Sequence, residues 1–232
     1  MEPGTAAGTT GDGGWEPVTV TAVLAEPVIG LWGHPAHLDG PAAWSAFLSF
    51  AGTAGRLALP RPEDAPVDFT LPLAAWTAPA PPGADPLALA ADPAMTWGWA
   101  CSRAIYDTGG HTVVNVRKHP ETGPAARYSA DAKWDVGGGP LKAKDVPFSA
   151  ELIREVRWHA LADPGPLLAM LSRVPSLGRL GGHGNGRVLS WRADTGGDRD
   201  AWRDRVMPHP GGAPGSVRAP YWHQSRRMPC TR

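Results

Sequence analysis

Cysteine is almost missing: Cys101 and Cys230 are the only two in 232 residues. Two thiols make neither a disulfide framework nor a zinc site with its usual ligand set, so the expected compartment is a reducing cytoplasm. No apolar run approaches the ~20 residues of a membrane-spanning helix. The opening MEPGTAAGTTGDGG lacks the basic and apolar regions of a secretory leader, and 1–16 reads as a polar, disordered tail. Net charge is missing too, 22 basic residues standing against 22 acidic, and lysine is scarce, since 18 of the 22 are arginine. Arginine is the cation better suited to forked phosphate contacts and to stacking on bases. In abundance are 29 glycines and 26 prolines, which predict long irregular connections, and 42% hydrophobic residues, ample for a packed core.

The zero net charge hides a gradient. Residues 1–100 hold two basic and ten acidic side chains, net −8, whereas 171–232 hold eleven and four, net +7. Such asymmetry points to a polyanion at the C-terminal end and a basic partner at the other. Within the basic part, Leu177 to Trp191 reads LGRLGGHGNGRVLSW, with Gly178, Gly181, Gly182, Gly184 and Gly186 inside nine residues. Glycines at that density give the backbone positive φ or let something approach it closely. With Arg179, His183, Asn185 and Arg187 among them, bare N–H groups and positive charge come together, a combination suited to phosphate. A nucleoside-triphosphate loop is excluded, because Arg187 and Val188 stand where Lys and Ser/Thr are required. A dinucleotide loop is excluded by direction: both loops leave a strand and open a helix, and this one joins a helix to a strand.

The remaining chain supplies the partners of that loop. VTVTAVLAEPV over 18–28 alternates as a strand, and Pro41 to Ala51 has helical spacing at Trp44, Phe47, Leu48 and Ala51. Residues 57–93 have no periodicity and read as an insertion. Met95 to Tyr106 and His111 to Lys118 flank Asp107-Thr108-Gly109-Gly110, the pattern of a hairpin. Residues 119–150 form a second polar insertion with Arg127, Lys133, Lys142 and Lys144. Glu151 to Ala162 reads as a helix or, preferably, a strand ending at Asp163-Pro164, which then caps a helix over 164–174. Arg187 to Ala193 is the last strand, and 196–232 is a basic Gly/Pro/Arg-rich extension. Stripped of insertions, the order is strand, helix, strand, strand, helix, strand. That is an α+β, ferredoxin-like (RRM-like) plan for one domain over 17–195.

At these residues the chain resembles the RAMP superfamily of CRISPR-associated proteins, which have a ferredoxin-like core and a glycine-rich loop before the last strand. VLAEPVIGLWGHPAHLDGPAAW, WHALADPGPLLAML, GRLGGHGNGRVLSW and APYWHQSRR are together similar to the small, handle-capping (Cas five-type) subunit of type IV effector complexes. The resemblance spans Val18 to Arg227. It implies a structural subunit that binds the 5′ handle of the guide RNA (crRNA), contacts the backbone RAMP and large subunits, and meets target DNA only through the complex. The residues then expected on RNA are Arg179, Gly181, Gly182, His183, Gly184, Asn185, Gly186 and Arg187, with Trp191, Tyr221 or Trp222 stacking on bases and Arg226 and Arg227 beside them.

Some handle-capping relatives also cut RNA without metal, which needs a base near the 2′-OH and a cation at the developing charge. Lys118-His119 and the His34/His37 loop are the candidates. Neither has a discriminating spacing among eight histidines, so no catalytic residue is assigned. A metal site from His34, His37 and Asp39 lacks matching ligands elsewhere, and no cofactor is expected. The alternatives to the guide-binding subunit are a metal-independent endoribonuclease acting on repeat RNA and a stand-alone RNA-binding module. Trp44, Trp97, Trp99 and Trp158 are expected in the core.

Overall fold

The molecule is built outward from one strand. The computed structural model describes residues 14–31, 36–53, 66–77, 97–118 and 144–231. Its first strand, β1 (Glu16–Leu24), lies between β6 (Glu155–Ala162) and β7 (Val188–Thr195), antiparallel to both. The period of two explains its place: Val18, Val20, Ala22 and Leu24 are buried on one face. Val20 is opposite both Trp158 and Ala193, and Ala22 opposite Val156 and Trp191, which aligns the apolar residues of the three strands. Residues 100–105 run along the other edge of β6. Leu161 N–H donates to the Ala100 carbonyl at 2.9 Å, Ser102 N–H to His159 at 2.7 Å, and Ile105 and Arg157 exchange bonds at 2.8 and 2.9 Å. Across the layer the order is therefore β7, β1, β6, then 100–105.

Two helices cover the apolar face. α1 (Asp39–Thr53) has Pro41 in its first turn and no Val or Ile to resist helix formation. α2 (Pro164–Leu171) starts at proline after an extended Asp163, and turns Leu167 and Leu171 into the core. The Ser45 hydroxyl donates to the Met170 carbonyl at 2.6 Å and ties one helix to the other. Leu38, Ala42, Leu167, Leu171, Trp158 and the β1 valines share one hydrophobic core. The fold is α+β, with strands outweighing helices among the described residues.

The expected hairpin between 95–106 and 111–118 does not form. β2 (Ala75–Thr77) pairs with β3 (Trp97–Trp99), while β4 (Thr108–Lys118) pairs with β5 (Lys144–Ile153) as a separate ribbon. The Gly109-Gly110 signal marks a bulge at the start of β4, with a register shift between Thr108 and His111. The Thr108 hydroxyl bridges this bulge to both the N–H and the carbonyl of Gly110. The insertion expected over 119–150 is accordingly shorter at its C-terminal end, because 144–150 belong to β5. The expected insertion at 57–93 and tail at 1–16 fall largely outside the described residues. Residues 196–231 carry a 3-10 turn at Ala201–Arg203, then β8 (Pro208–Gly215) paired with β9 (Met228–Cys230). They close a second core of Ala74, Trp76, Ala100, Trp202, Val206, Val217, Met228 and Cys230.

Candidate nucleic-acid interface

The glycine-rich segment leaves α2 and is stitched to the chain that follows β1. Arg179 N–H donates to the Ile29 carbonyl at 2.7 Å, Gly186 N–H to Pro27 at 2.8 Å and Ala25 N–H to Arg187 at 2.9 Å. Across its own neck, Leu177 N–H bonds Gly186 at 2.9 Å and Val188 N–H bonds Pro175 at 2.8 Å. Gly178, at φ +77°, leaves no room for a Cβ, which would sit 2.6 Å from the Ile29 carbonyl oxygen. Gly186, at φ +61°, backs directly onto the Leu177 carbonyl. These two glycines serve the close approach of backbones. Gly182 and Gly184 differ, since nothing lies within 4 Å of either Cβ position. Gly182 lies within a 3-10 turn, Gly181–His183, entered through Leu180 at φ 60° and left through Gly184. A left-handed leucine costs about 1–2 kcal/mol and persists only where its surroundings hold it. Here His183 N–H, at 2.9 Å, and the buried Asn185 amide, at 3.4 Å, both donate to the Leu180 carbonyl.

Arg179, His183 and Arg187 stand exposed on this braced loop. The aliphatic stem of Arg179 lies over Gly30, whose own Cβ position is 3.0 Å from Arg179 Cδ, so its guanidinium is carried by a supported stem. The loop thus offers three cationic or titratable side chains and open glycine backbone on one ordered connection. Two expected contact residues are instead internal. Asn185 and Gly186 are buried and serve the loop's own geometry.

Three other expected contacts, Trp191, Tyr221 and Arg226, are also placed differently. Trp191 stacks on Trp158, with ring centroids 5.8 Å apart, and its indole N–H donates to Val174 at 3.2 Å. Strand alternation aims it at the helix-covered face and leaves its neighbour Arg192 outward, where that guanidinium pairs with Glu155 at 2.9 Å. Tyr221 donates its hydroxyl to Asp39 and stacks on His37 at 5.2 Å, so its ring is no free platform. Arg226 is buried and paired with Asp68 at 2.7 Å, a carboxylate it shares with Arg218, which is itself packed 4.3 Å over the Trp97 ring. Trp222 and Arg227 are the members of the C-terminal group that do face outward. Compared with models of protein families and with curated proteins, the chain matches none.

His34 and His119 lie outside the described residues, and of Lys118 only the backbone, at the end of β4, is described. His37 is buried at 1% exposure; its Nε2 accepts the Val206 N–H at 3.2 Å, and its Nδ1 has no hydrogen-bond partner among the described residues. Burial, and then Arg205 and Arg103, lower its pKa to about 3, which keeps the ring neutral. It belongs to a polar cluster that the sequence did not reveal. Asp39, fully buried in the first turn of α1, accepts from Tyr221, from the Ala219 N–H at 3.3 Å and from the Cys101 thiol at 3.5 Å. Arg205 donates to the carbonyls of Trp99, Cys101 and Val217. Burial first, and the Asp39 charge after it, push the Cys101 thiol up to about 12; burial pushes Cys230 up to about 11. Neither cysteine is a ready nucleophile. The only signal for this cluster was a scatter of polar residues 62 to 182 positions apart, which no local pattern connects. Among the described residues no group of three His, Cys, Asp or Glu is placed to hold a metal, and no helix is long and apolar enough to cross a membrane.

Proposed function

We propose that this chain binds RNA through the Leu177–Trp191 loop, as the handle-capping RAMP subunit of a type IV CRISPR ribonucleoprotein. The observation that carries the reading is the loop itself: a connection from α2 to β7, braced at both ends, with Arg179, His183 and Arg187 exposed around the open backbone of Gly182 and Gly184. Guanidinium groups and open backbone suit the phosphates of a single strand, and of the expected stacking residues Trp222, 54% exposed, is the one turned outward. The strand order supports the ferredoxin-like part of the proposal. With 100–105 read as an irregular fourth strand, the layer has the last strand, the first, the third and the second in that sequence, under two helices, which is the split βαβ plan. On this reading the subunit works in the cytoplasm, grips the 5′ handle of the guide RNA, contacts backbone and large subunits, and meets target DNA only through the assembled particle.

Photo-crosslinking of the purified chain to a single-stranded repeat RNA tests the interface. Crosslinked peptides should cover 179–187 and Trp222; crosslinks confined to other segments would overturn the assignment. The endoribonuclease reading rests on Lys118 and His119 or on His34, since His37 is buried. Incubation with repeat RNA in EDTA separates the two, because specific cleavage abolished by His119→Ala would replace a structural subunit with an enzyme. A stand-alone RNA-binding module would be favoured if the neighbouring genes encode no backbone RAMP.

A further inference from the structure

β7 is an edge strand, bonded to β1 on one side alone among the described residues. Gly196 N–H donates to the Pro17 carbonyl at 2.8 Å, so the narrow pairs of the β1–β7 ladder are Pro17–Gly196 and, at every second residue, Thr19–Asp194 and Thr21–Arg192. The backbone N–H and C=O groups of the residues between them, Trp191, Ala193 and Thr195, therefore point away from β1. No hydrogen bond among the described residues uses these groups. Val188–Thr195 holds neither lysine nor proline, the residues that commonly keep such an edge from pairing. On the open face of the sheet Arg192 and Asp194 are both exposed, and the Asp194 carboxylate has no partner among the described residues.

An edge of this kind is completed by another strand. We propose that this strand is β7 of a second copy of the chain, paired antiparallel about a two-fold axis at Ala193. The free N–H and C=O groups restrict the pairing to registers in which members of the set Trp191, Ala193 and Thr195 face one another. Centring on Arg192 would oppose two guanidiniums, and centring on Asp194 two carboxylates. Centring on Ala193 sets Arg192 of each copy across from Asp194 of the other, twice by symmetry, in the wide pairs where side chains lie closest. The axis then passes between two alanines, small enough for the backbones to meet, and both copies keep their helices on one side of the joined sheet. Arg192 already bonds Glu155 at 2.9 Å, but that pair is about half exposed and the guanidinium has five donors, so it can serve both carboxylates. Arg157 lies across Thr21 from Arg192, and this second guanidinium leaves net positive charge for the incoming carboxylate. The edge uses none of the exposed arginines of the glycine loop, so the proposal stands or falls separately from RNA binding.

Sedimentation velocity of the purified full chain over a concentration series reads the association. The mass should rise from 24.4 kDa toward twice that value, and amide hydrogen exchange at Trp191, Ala193 and Thr195 should slow as it does. Asp194→Arg and Arg192→Asp should each weaken self-association by about tenfold or more, because each sets like charges opposite one another. An equimolar mixture of the two variants should associate again, and the double exchange Arg192→Asp/Asp194→Arg should restore association within one chain. Asp194→Arg, which breaks no side-chain bond of the fold, gives the reading by itself if Arg192→Asp does not fold. A chain that stays at 24.4 kDa at every concentration would overturn the proposal and leave the edge to a strand of a different protein. So would a dimer that tolerates both single reversals, or one in which the three amides exchange as fast as in the monomer.

Discussion

His37 has exchanged water for an indifferent neighbourhood: the Tyr221 ring on one face, a backbone N–H at Nε2, no hydrogen-bond partner for Nδ1 among the described residues, and two guanidiniums nearby. Protonating it in the folded state is therefore costly, and its pKa drops from 6.5 to about 3. Above pH 6.5 the ring is neutral in folded and unfolded chains alike, and it contributes no pH dependence. Below 6.5 the unfolded chain takes up a proton that the native state refuses, so stability falls as pH falls, by up to about 1.4 kcal/mol per unit until about pH 3. Urea denaturation between pH 7 and 4.5 should show that loss in the wild type and a shallower one in His37→Gln. Equal slopes would mean that His37 is accessible to protons in the native state. The sequence offered this histidine as a possible catalyst or metal ligand because it shares a short loop with His34 and precedes Asp39. Its burial depends on Tyr221 and Val206, far along the chain, and was not legible there.

At the level of elements, β1, α2 and β7 could be read from alternation and capping, because each meets its environment through its own period. The Trp191 side chain was misjudged although β7 was not. Alternation leaves two possible faces, and only the pairing with β1 decides which is inward. The β4 partner was misjudged because a Gly-Gly pair serves a bulge as well as a turn. Trp44, expected in the core, is exposed, since helical spacing locates an apolar stripe without saying how wide the covered part is. Within the glycine loop the five glycines separate into roles. Gly186→Ala would force a Cβ onto the Leu177 carbonyl at positive φ and should lower the melting temperature by several degrees, whereas Gly182→Ala, in open space, should stay within about 0.5 kcal/mol of wild type. If thermal melts rank the two the other way round, the loop is not braced as described.

The whole molecule depends on its C-terminal extension, 196–232, more than composition suggests. The Gly/Pro/Arg-rich extension reads as lying beyond the domain, yet Arg205, Val217, Ala219 and Tyr221 reach the buried Asp39 cluster and Trp202 and Met228 complete the second core. Asp39→Ala removes the acceptor for Tyr221, Cys101 and the Ala219 N–H and leaves the Arg205 guanidinium buried without that counter-charge. The expected loss is about 3–5 kcal/mol in chemical denaturation, and a change below 1 kcal/mol would show that the cluster does not hold the extension. Charge is also distributed unlike the sequence-level gradient implies. Of the C-terminal arginines, Arg205, Arg218 and Arg226 are buried, which leaves Arg179, Arg187 and Arg227 among the outward ones available to a polyanion.

The claim that the braced glycine loop grips RNA phosphates is tested most directly by the salt dependence of binding to a single-stranded repeat RNA, in wild type and Arg179→Ala/Arg187→Ala. Each phosphate contact on a single strand contributes about 0.7 to the slope of log affinity against log salt. The double variant should bind more weakly at low salt, with a slope shallower by about 1.4 and an unchanged fold. Identical affinity and slope would contradict the account and remove the loop from the interface.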